Sequence, residues 1–509
     1  MVIKGHATPE AAAAYAERHA PLIYGDLGRT GRLVSQAGFG CYRVDISVET
    51  HRRALTEALL KGINLIDTSA NYADGGSEAL VGKVLGELIS SGNLKRQEVV
   101  LVTKGGYLQG ENYRISQKRK REGKPFPDLV LYGEGIEHCI HPEFLEDQIG
   151  RSLERLNLET IDVYLLHNPE YYLGWAAKVG LSLEEARREY YRRIELALRH
   201  LESEVARGRI QFYGISSNTF PSPGSDHQFT SLETVWEIAE SISPKHHFQV
   251  IQLPLNLLET GGVTEKNQSG GRSVIQFARE KRLGVLINRP LNAIAGRGMV
   301  RLAEVEAGPS LAPEEVEHRI REVVRSEEEL RERVLAALSL TASSRDQIMN
   351  QAAVGQILSQ HWRNFGSYDR WQELEAYYFG PRVQGLVQFL EQVTDQGTGI
   401  SPWIQTHQER AHAAFQAITS VYRGEAARRS GLIRSWIASV GSFWAEAKTL
   451  SQVAIRALRS TAGVSCVLVG MRQERYVEDV LAELKKPAEV SEREETWNTL
   501  QETQEEVVV

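Results

Sequence analysis

The first half of the chain alternates short apolar runs with longer amphipathic ones, the pattern of a parallel sheet joined by crossover helices. The apolar runs read as strands at VSQAGFG (34–40), INLIDT (63–68), VVLVTK (99–104), IDVYLLH (161–167), IQFYGIS (210–216), FQVIQL (248–253), VLINRP (285–290) and, far downstream, CVLVG (466–470). Between them, VETHRRALTEALLKG, SEALVGKVLGELIS, EFLEDQIGRSLERLNL and SVIQFAREKRLG carry apolar residues at helical spacing. Eight strands, each followed by a helix, predict an α/β fold of the closed (β/α)8 TIM-barrel type, with a doubly wound sheet as the alternative. LGRTGRLVSQ (27–36) has Gly28 and Gly31 at turn positions and predicts a small hairpin closing the barrel floor.

From about 302 to 450 the alternation stops. EEVEHRIREVVRSEEELRERVLAALSL, DQIMNQAAVGQILSQHW, WQELEAYYFGPRVQGLVQFLEQV and QERAHAAFQAITSVYRGEAARR all read as amphipathic helices. No fixed period relates them, which predicts one bundle and not a solenoid. The bundle starts after the seventh strand and ends before TLSQVAIRALRS, the helix leading into the eighth, so it is inserted into the barrel. The expected organisation is a helical extension at 1–23, a first barrel part at 24–301, the helical insertion at 302–449, a final barrel part at 450–486 and an acidic, peripheral tail at 487–509.

Net charge narrows the partners: at −7 the chain is an unlikely ligand for nucleic acid. Cys41, Cys139 and Cys466 lie far apart without metal-ligand spacing, so neither a disulfide framework nor a metal site is expected. That usage suits a reducing cytoplasm. No apolar run reaches the length of a membrane span, and the N-terminal stretch lacks a signal-peptide core and reads as a short amphipathic helix. A cytoplasmic enzyme without a membrane partner is the expectation.

In a parallel barrel, catalytic residues sit at the carboxyl ends of strands. Those ends supply Asp67, Lys104 and His167, with Tyr72 on the loop that follows Asp67. Together they suit carbonyl reduction, which needs a proton donor beside a developing alkoxide. A lysine cation favours the phenolate of a tyrosine, a carboxylate holds that lysine charged, and a histidine orients the substrate oxygen. Singly, each has a bland alternative: a helix cap for Asp67, an ordinary ion pair for Lys104, a satisfied core histidine for His167. Their joint placement at strand ends favours the catalytic reading.

These segments resemble the aldo-keto reductase superfamily. NLIDTSANYADGGSEALVG is similar to its second strand and loop, VLVTKGG to its catalytic-lysine strand and DVYLLHNPE to its histidine strand. YGISSN, VIQLPLN and VLVGMRQERYVEDVL resemble its later cofactor-binding segments, in the right order, over residues 24–300 and 450–485. The resemblance implies that Tyr72 is the general acid/base, that Lys104 and Asp67 tune it, and that His167 orients the carbonyl.

It also implies a nicotinamide nucleotide, NADPH with NADH as the alternative. No G-x-G-x-x-G opens a βαβ unit, so a Rossmann site is not indicated; GFGC (38–41) has one glycine fewer. By resemblance the carboxamide is held by a Ser–Asn pair after the fifth strand, Ser217–Asn218, with Ser216 as the alternative register, and by Gln252 on the sixth. Gly470, Met471, Arg472, Arg475 and Asp479 would meet the adenosine end. A guanidinium at Arg472 suits a 2′-phosphate, against the alternative of a solvent-exposed arginine at a helix start. Asn288, Arg289, Pro290 and Leu291 stand where many members carry an aromatic that stacks on the nicotinamide. Tyr42, beside Gly40 and Cys41 in the same site, is the candidate replacement.

Residues 107–141, 168–190 and 291–450 all follow strand carboxyl ends, where loops set substrate choice. The basic run SQKRKREGK, with Lys118, Arg119, Lys120, Arg121 and Lys124, could attract an anion or simply be solvated. Tyr171, Tyr172 and Trp175 are candidate substrate contacts, or pack the helix that carries them. HWRNFGSYDRWQELEAYYFG (361–380) could form a ligand box; a bundle core or interface is the favoured reading. The insertion is a candidate lid or homo-oligomer contact. The function expected is an NADP-dependent oxidoreductase of the aldo-keto reductase type acting on a small carbonyl or alcohol. The alternatives are a nicotinamide-binding regulatory subunit, and a non-redox lyase or isomerase on the same barrel.

Overall fold

A sheet covered on both faces buries its strands almost throughout, and that is the fate of the apolar runs. The computed structural model describes residues 2–295, 298–337, 341–393 and 400–505. Among them a closed parallel barrel is formed by β1 (Ala37–Gly40), β2 (Leu65–Asp67), β3 (Val100–Gly105), β4 (Ile161–His167), β5 (Ile210–Ser216), β6 (Phe248–Pro254), β7 (Gly284–Asn288) and β8 (Cys466–Val469). Strand β8 pairs with both β7 and β1, which completes the ring. The crossover helices are α1 (Glu49–Leu60), α2 (Gly76–Ser90), α3 (Pro142–Leu156), α4 (Leu183–Ala206), α5 (Leu232–Ile242), α6 (Val274–Glu280), α7 (Leu450–Arg459) and α8 (Glu474–Leu484).

Their ends follow local chemistry. Proline occupies the first turn of α3 and Asn157 ends it at φ 55°. Ser273 and Gln276 form a capping box on α6. Inside the barrel, Val100 and Val102 from β3 and Val163 and Leu165 from β4 recur at period two, packed with Leu65, Val250, Leu286, Cys466 and Leu468.

The floor is sealed by the hairpin the turn glycines predict, Tyr24–Asp26 against Leu33–Ser35, with Leu27 and Ala7 joining the barrel core. Gly28 has φ 54°, and a Cβ there would lie 2.2 Å from the Gly284 backbone nitrogen, so the position demands glycine. The predicted strand 34–40 is in fact two pieces separated at Gln36. Asn64 Oδ1 accepts the Ser35 amide at 2.8 Å, Ser35 Oγ donates to Ala37 O, and the chain turns there. Hydropathy alone does not show such a break.

Residues Ala303–Ser435 form a compact helical unit of their own. Trp371, Phe379 and Phe415 pack with Val316, Ile320 and Ile418, and Phe365 stacks on Trp371 at 5.4 Å. The aromatic-rich stretch 361–380 is thus largely bundle core, the favoured of its two readings. Residues 338–340, the end of the first predicted insertion helix, lie outside the described residues.

The tail departs from expectation. Its helix Glu494–Thr503 buries Trp497 and Leu500 completely, and Trp497 packs on Trp444 at 5.2 Å while donating to Thr461. The surrounding glutamates mask an apolar pair spaced three apart, enough to dock a short helix; residues 506–509 lie outside the described residues. No described helix is long and apolar enough to cross a membrane.

Asp162, low on β4, gathers the floor. Its Oδ1 accepts the Ala7 amide at 2.7 Å, and its Oδ2 accepts Arg96 Nη2 at 2.7 Å and the Leu101 amide at 2.8 Å. Both members of the Arg96–Asp162 pair are 2% exposed. Removing one partner of such a pair leaves an uncompensated charge. Arg96→Ala is expected to lower unfolding free energy by about 3–5 kcal/mol, read from urea denaturation.

Candidate active site

Register sets the site. Gly40 lies beside Asp67, Lys104 beside Leu165, His167 beside Ser216, Ser216 beside Gln252 and Pro254 beside Asn288. Asp67, Lys104, His167, Ser216, Gln252 and Asn288 therefore ring the carboxyl end of the barrel. Tyr72 reaches the same ring from a tight turn, Tyr72–Gly75, in which Ala73 and Asp74 take φ of 50° and 52°.

Lys104 Nζ donates to Asp67 Oδ2 at 2.7 Å and to Thr68 O at 2.9 Å, and stands 3.4 Å from the Tyr72 hydroxyl. Burial works against the ammonium, but Asp67 and Tyr72 outweigh it and hold its pKa above the usual lysine value. Burial raises the Tyr72 phenol while Lys104 pulls it down. The network continues, since Gln252 Nε2 donates to Asp67 Oδ1 at 2.8 Å and Gln252 Oε1 accepts from Ser216 Oγ at 3.0 Å. His167 faces Tyr72 edge-on with ring centroids 6.0 Å apart, and its Nδ1 meets Ser69 Oγ at 3.0 Å. Burial and the nearby Lys104 charge drive its pKa well down, so its ring is neutral.

The residues expected around a nucleotide separate into those at the mouth and those elsewhere. Ser216 joins Gln252, whereas Ser217 turns to Thr219 and Thr230, and the Asn218 side chain is exposed. Of the two registers, the one at Ser216 is joined to Gln252 at the mouth. Asn288 Oδ1 is buried without a partner, close to Gln252. Arg289 is engaged with Glu259 at 2.7 Å, and Pro290 and Leu291 are buried. Gly40 and Cys41 are buried behind the mouth; Tyr42 is 62% exposed and packs edge-on against Tyr72 at 5.4 Å.

After β8, Met471 is fully buried and belongs to the core. Asp479 accepts from Thr449 Oγ1 at 3.0 Å and Gln452 Nε2 at 2.9 Å, tying α8 to the start of α7. The Met471 side chain is thus spent on packing and the Asp479 carboxylate on contacts between the two helices. Gly470 has open space around it and Arg475 is exposed. Arg472 stands just before α8, half-exposed, with no ion pair among the described residues.

Of the candidate substrate contacts, Tyr172 is 3% exposed under the Arg193 guanidinium, at 4.1 Å, and tilts against Trp175. Both pack the helix Tyr171–Lys178, the structural alternative. Tyr171 instead meets Tyr107 and Tyr132, and Tyr107 lies 4.8 Å from His167. The basic run is largely neutralised: Arg119 pairs with Glu143, Lys120 with Glu137, and Lys118 with Glu122.

Sequence reasoning missed Ser69, His138 and Glu170. Ser69 follows Asp67 by two residues and supports His167. His138 Nε2 donates to His167 O at 2.7 Å from a three-stranded sheet built by residues 107–138. No motif announced either. Glu170 sits in the quoted HNPE stretch, yet its carboxyl is 3% exposed, which composition does not reveal.

The model of the Aldo/keto reductase family matches residues 37–305, more than half of the chain. An NADH-specific methylglyoxal reductase of Escherichia coli (strain K12) is 30% identical over 152 residues, 28% of this chain and 40% of that one. An uncharacterized oxidoreductase of Bacillus subtilis (strain 168) is 37% identical over 30% of this chain and 42% of its own. The chain spans about half the length, or less, of the curated relatives it matches. A solved glycerol dehydrogenase of Gluconobacter oxydans aligns over 95% of this chain and 96% of its own, at 15% identity and a TM-score of 0.44.

Burial lowers His138 from 6.5 to about 4, and His167 falls with it. The unfolded chain takes up these protons near pH 6.5 and the folded chain refuses them. Their contribution to stability is full above that pH and is lost as pH falls towards 4. Urea denaturation between pH 6.5 and 4 is expected to show this slope, reduced in His138→Gln.

Proposed function

The chain belongs to the aldo/keto reductase family, and from that membership we propose that it is an oxidoreductase interconverting a small aldehyde or ketone and its alcohol. NADPH is the preferred nucleotide and NADH the alternative. The observation that carries the reading is the continuous contact Tyr72–Lys104–Asp67 with His167 beside it.

The residues present suit the nucleotide. Ser216 and Gln252 offer a hydroxyl and an amide for a carboxamide, and the unpartnered Asn288 Oδ1 is an acceptor in want of a donor. Arg472, ahead of α8 and without an ion pair among the described residues, suits a 2′-phosphate through charge-assisted hydrogen bonds. When bound, the reduced nucleotide supplies the hydride. Tyr72 donates its hydroxyl proton to the carbonyl oxygen and takes it back in the reverse direction. Lys104 stabilises the resulting phenolate, and Asp67 keeps Lys104 charged. Neutral His167, beside Tyr72, orients the same carbonyl oxygen. Tyr107 and, behind it, Tyr171 form an aromatic wall beside His167. A purely regulatory role for the barrel does not require this complete set.

Fluorescence titration with NADPH and NADH tests the reading. Arg472→Ala is expected to weaken NADPH about 10- to 100-fold, the value of hydrogen bonds to a charged group, and to leave NADH nearly unchanged. No binding of either nucleotide would overturn it. Tyr72→Phe is expected to slow carbonyl reduction by about 10²–10⁴ with little change in nucleotide affinity, measured by following nucleotide absorbance over a carbonyl panel.

A further inference from the structure

One buried carboxyl at the barrel mouth has no part in the chemistry above. Glu170 lies three residues after His167, at the start of the helix Tyr171–Lys178, and is 3% exposed. Its Oε1 accepts the Asn218 amide at 2.8 Å; its Oε2 is buried with no partner. The groups facing it are the phenols of Tyr107, Tyr171 and Tyr190 from three elements and the Ser217 hydroxyl, and among the described residues it makes no ion pair.

Its place in the topology gives this contact its meaning. The end of β4 carries His167, and the end of β5 carries Ser216. The two ends are joined beyond the last paired residues by Asn168 N donating to Ser216 O at 2.7 Å, with Asn168 at φ 51°. Glu170 adds the second tie, two residues further along the β5 loop. The Ser217 hydroxyl meets Thr219 and Thr230 and also bears on the Glu170 carboxyl. Ser217 N donates to Gln252 O at 3.0 Å, which holds the strand end itself, and Glu170 fixes the chain one residue further on, at Asn218.

We propose that Glu170 is a positioning residue that clamps the Ser216–Asn218 loop to the turn after His167, so that the hold on the nicotinamide carboxamide depends on its ionisation. This rests on the nucleotide reading above. A carboxylate accepts an amide hydrogen bond more strongly than a carboxylic acid does. Burial without a cation raises its pKa to about 7, which puts the change between the two forms at neutral pH. The ionised clamp is the tighter one, so affinity rises with pH through that value.

The test is NADPH titration of wild type, Glu170→Gln and Glu170→Ala between pH 5.5 and 8.5. Ratios to wild type cancel other titrating groups. The Gln:wild-type ratio of dissociation constants is expected near one at pH 5.5, rising to about fivefold at pH 8.5. Glu170→Ala should bind more weakly at every pH, raising KM for the nucleotide more than it lowers kcat. In nucleotide-free wild type, protection of the Asn218 amide from hydrogen exchange should rise across the same range after correction for intrinsic rates; this reading needs no variant to fold. A ratio flat at one, alanine binding as tight as wild type, or constant Asn218 protection would overturn the clamp. Wild type that binds no NADPH would instead overturn the nucleotide reading and the clamp with it.

Discussion

An ammonium group at the end of a fully buried strand persists only where a carboxylate meets it, and Asp67 meets Lys104 at 2.7 Å. The rest of the mouth is arranged around that contact. It obliges β2 and β3 to be neighbours in one register, since Asp67 and Lys104 lie at the carboxyl-terminal ends of their strands. It draws Gln252 across the barrel to the second carboxylate oxygen, and through Gln252 it reaches Ser216. The Tyr72–Lys104–Asp67 group and the Gln252–Ser216 pair are thus one hydrogen-bonded body. Strain or substitution at Asp67 would be felt on both sides of the barrel.

Much of this was legible in the residues. The barrel strands were visible as apolar runs because a parallel sheet is buried on both faces and leaves no polar alternation to confuse the pattern. Asp67, Lys104, His167 and Tyr72 could be placed because strand ends are where a barrel exposes polar groups. What the residues left open shares a cause. Met471 and Asp479 sit in a segment correctly located, but which way each points depends on how α8 lies against α7. The Ser216 or Ser217 question is likewise one of side-chain direction, and a strand reverses direction at every residue. Trp497 was hidden by its glutamate neighbours, whose charge dominates the composition of that stretch.

The same logic explains why Ser69, His138 and Glu170 were not found. Each acts by supporting another residue across a fold-level contact, and such support has no spacing to recognise. His138 comes from the small sheet between β3 and β4 and props His167 through its backbone carbonyl. An insertion that reads as a substrate loop is therefore also part of the frame behind the histidine.

The placement of the helical unit has a consequence for how the chain is made. Residues 289–465 separate β7 from β8, so during synthesis seven strands emerge long before the one that closes them. Until then β1 and β7 each present an unpaired edge, an invitation to foreign strands. Loop-closure entropy grows slowly with length, about 0.6 kcal/mol per doubling, so the finished barrel tolerates the interruption well. The hazard is kinetic, in the interval before closure. The hairpin and Ala7 can already plug the floor, and the helical unit has a core of its own on which to collapse. Arg472 arrives just after that last strand, so a nascent chain acquires this guanidinium only at the moment the ring is complete.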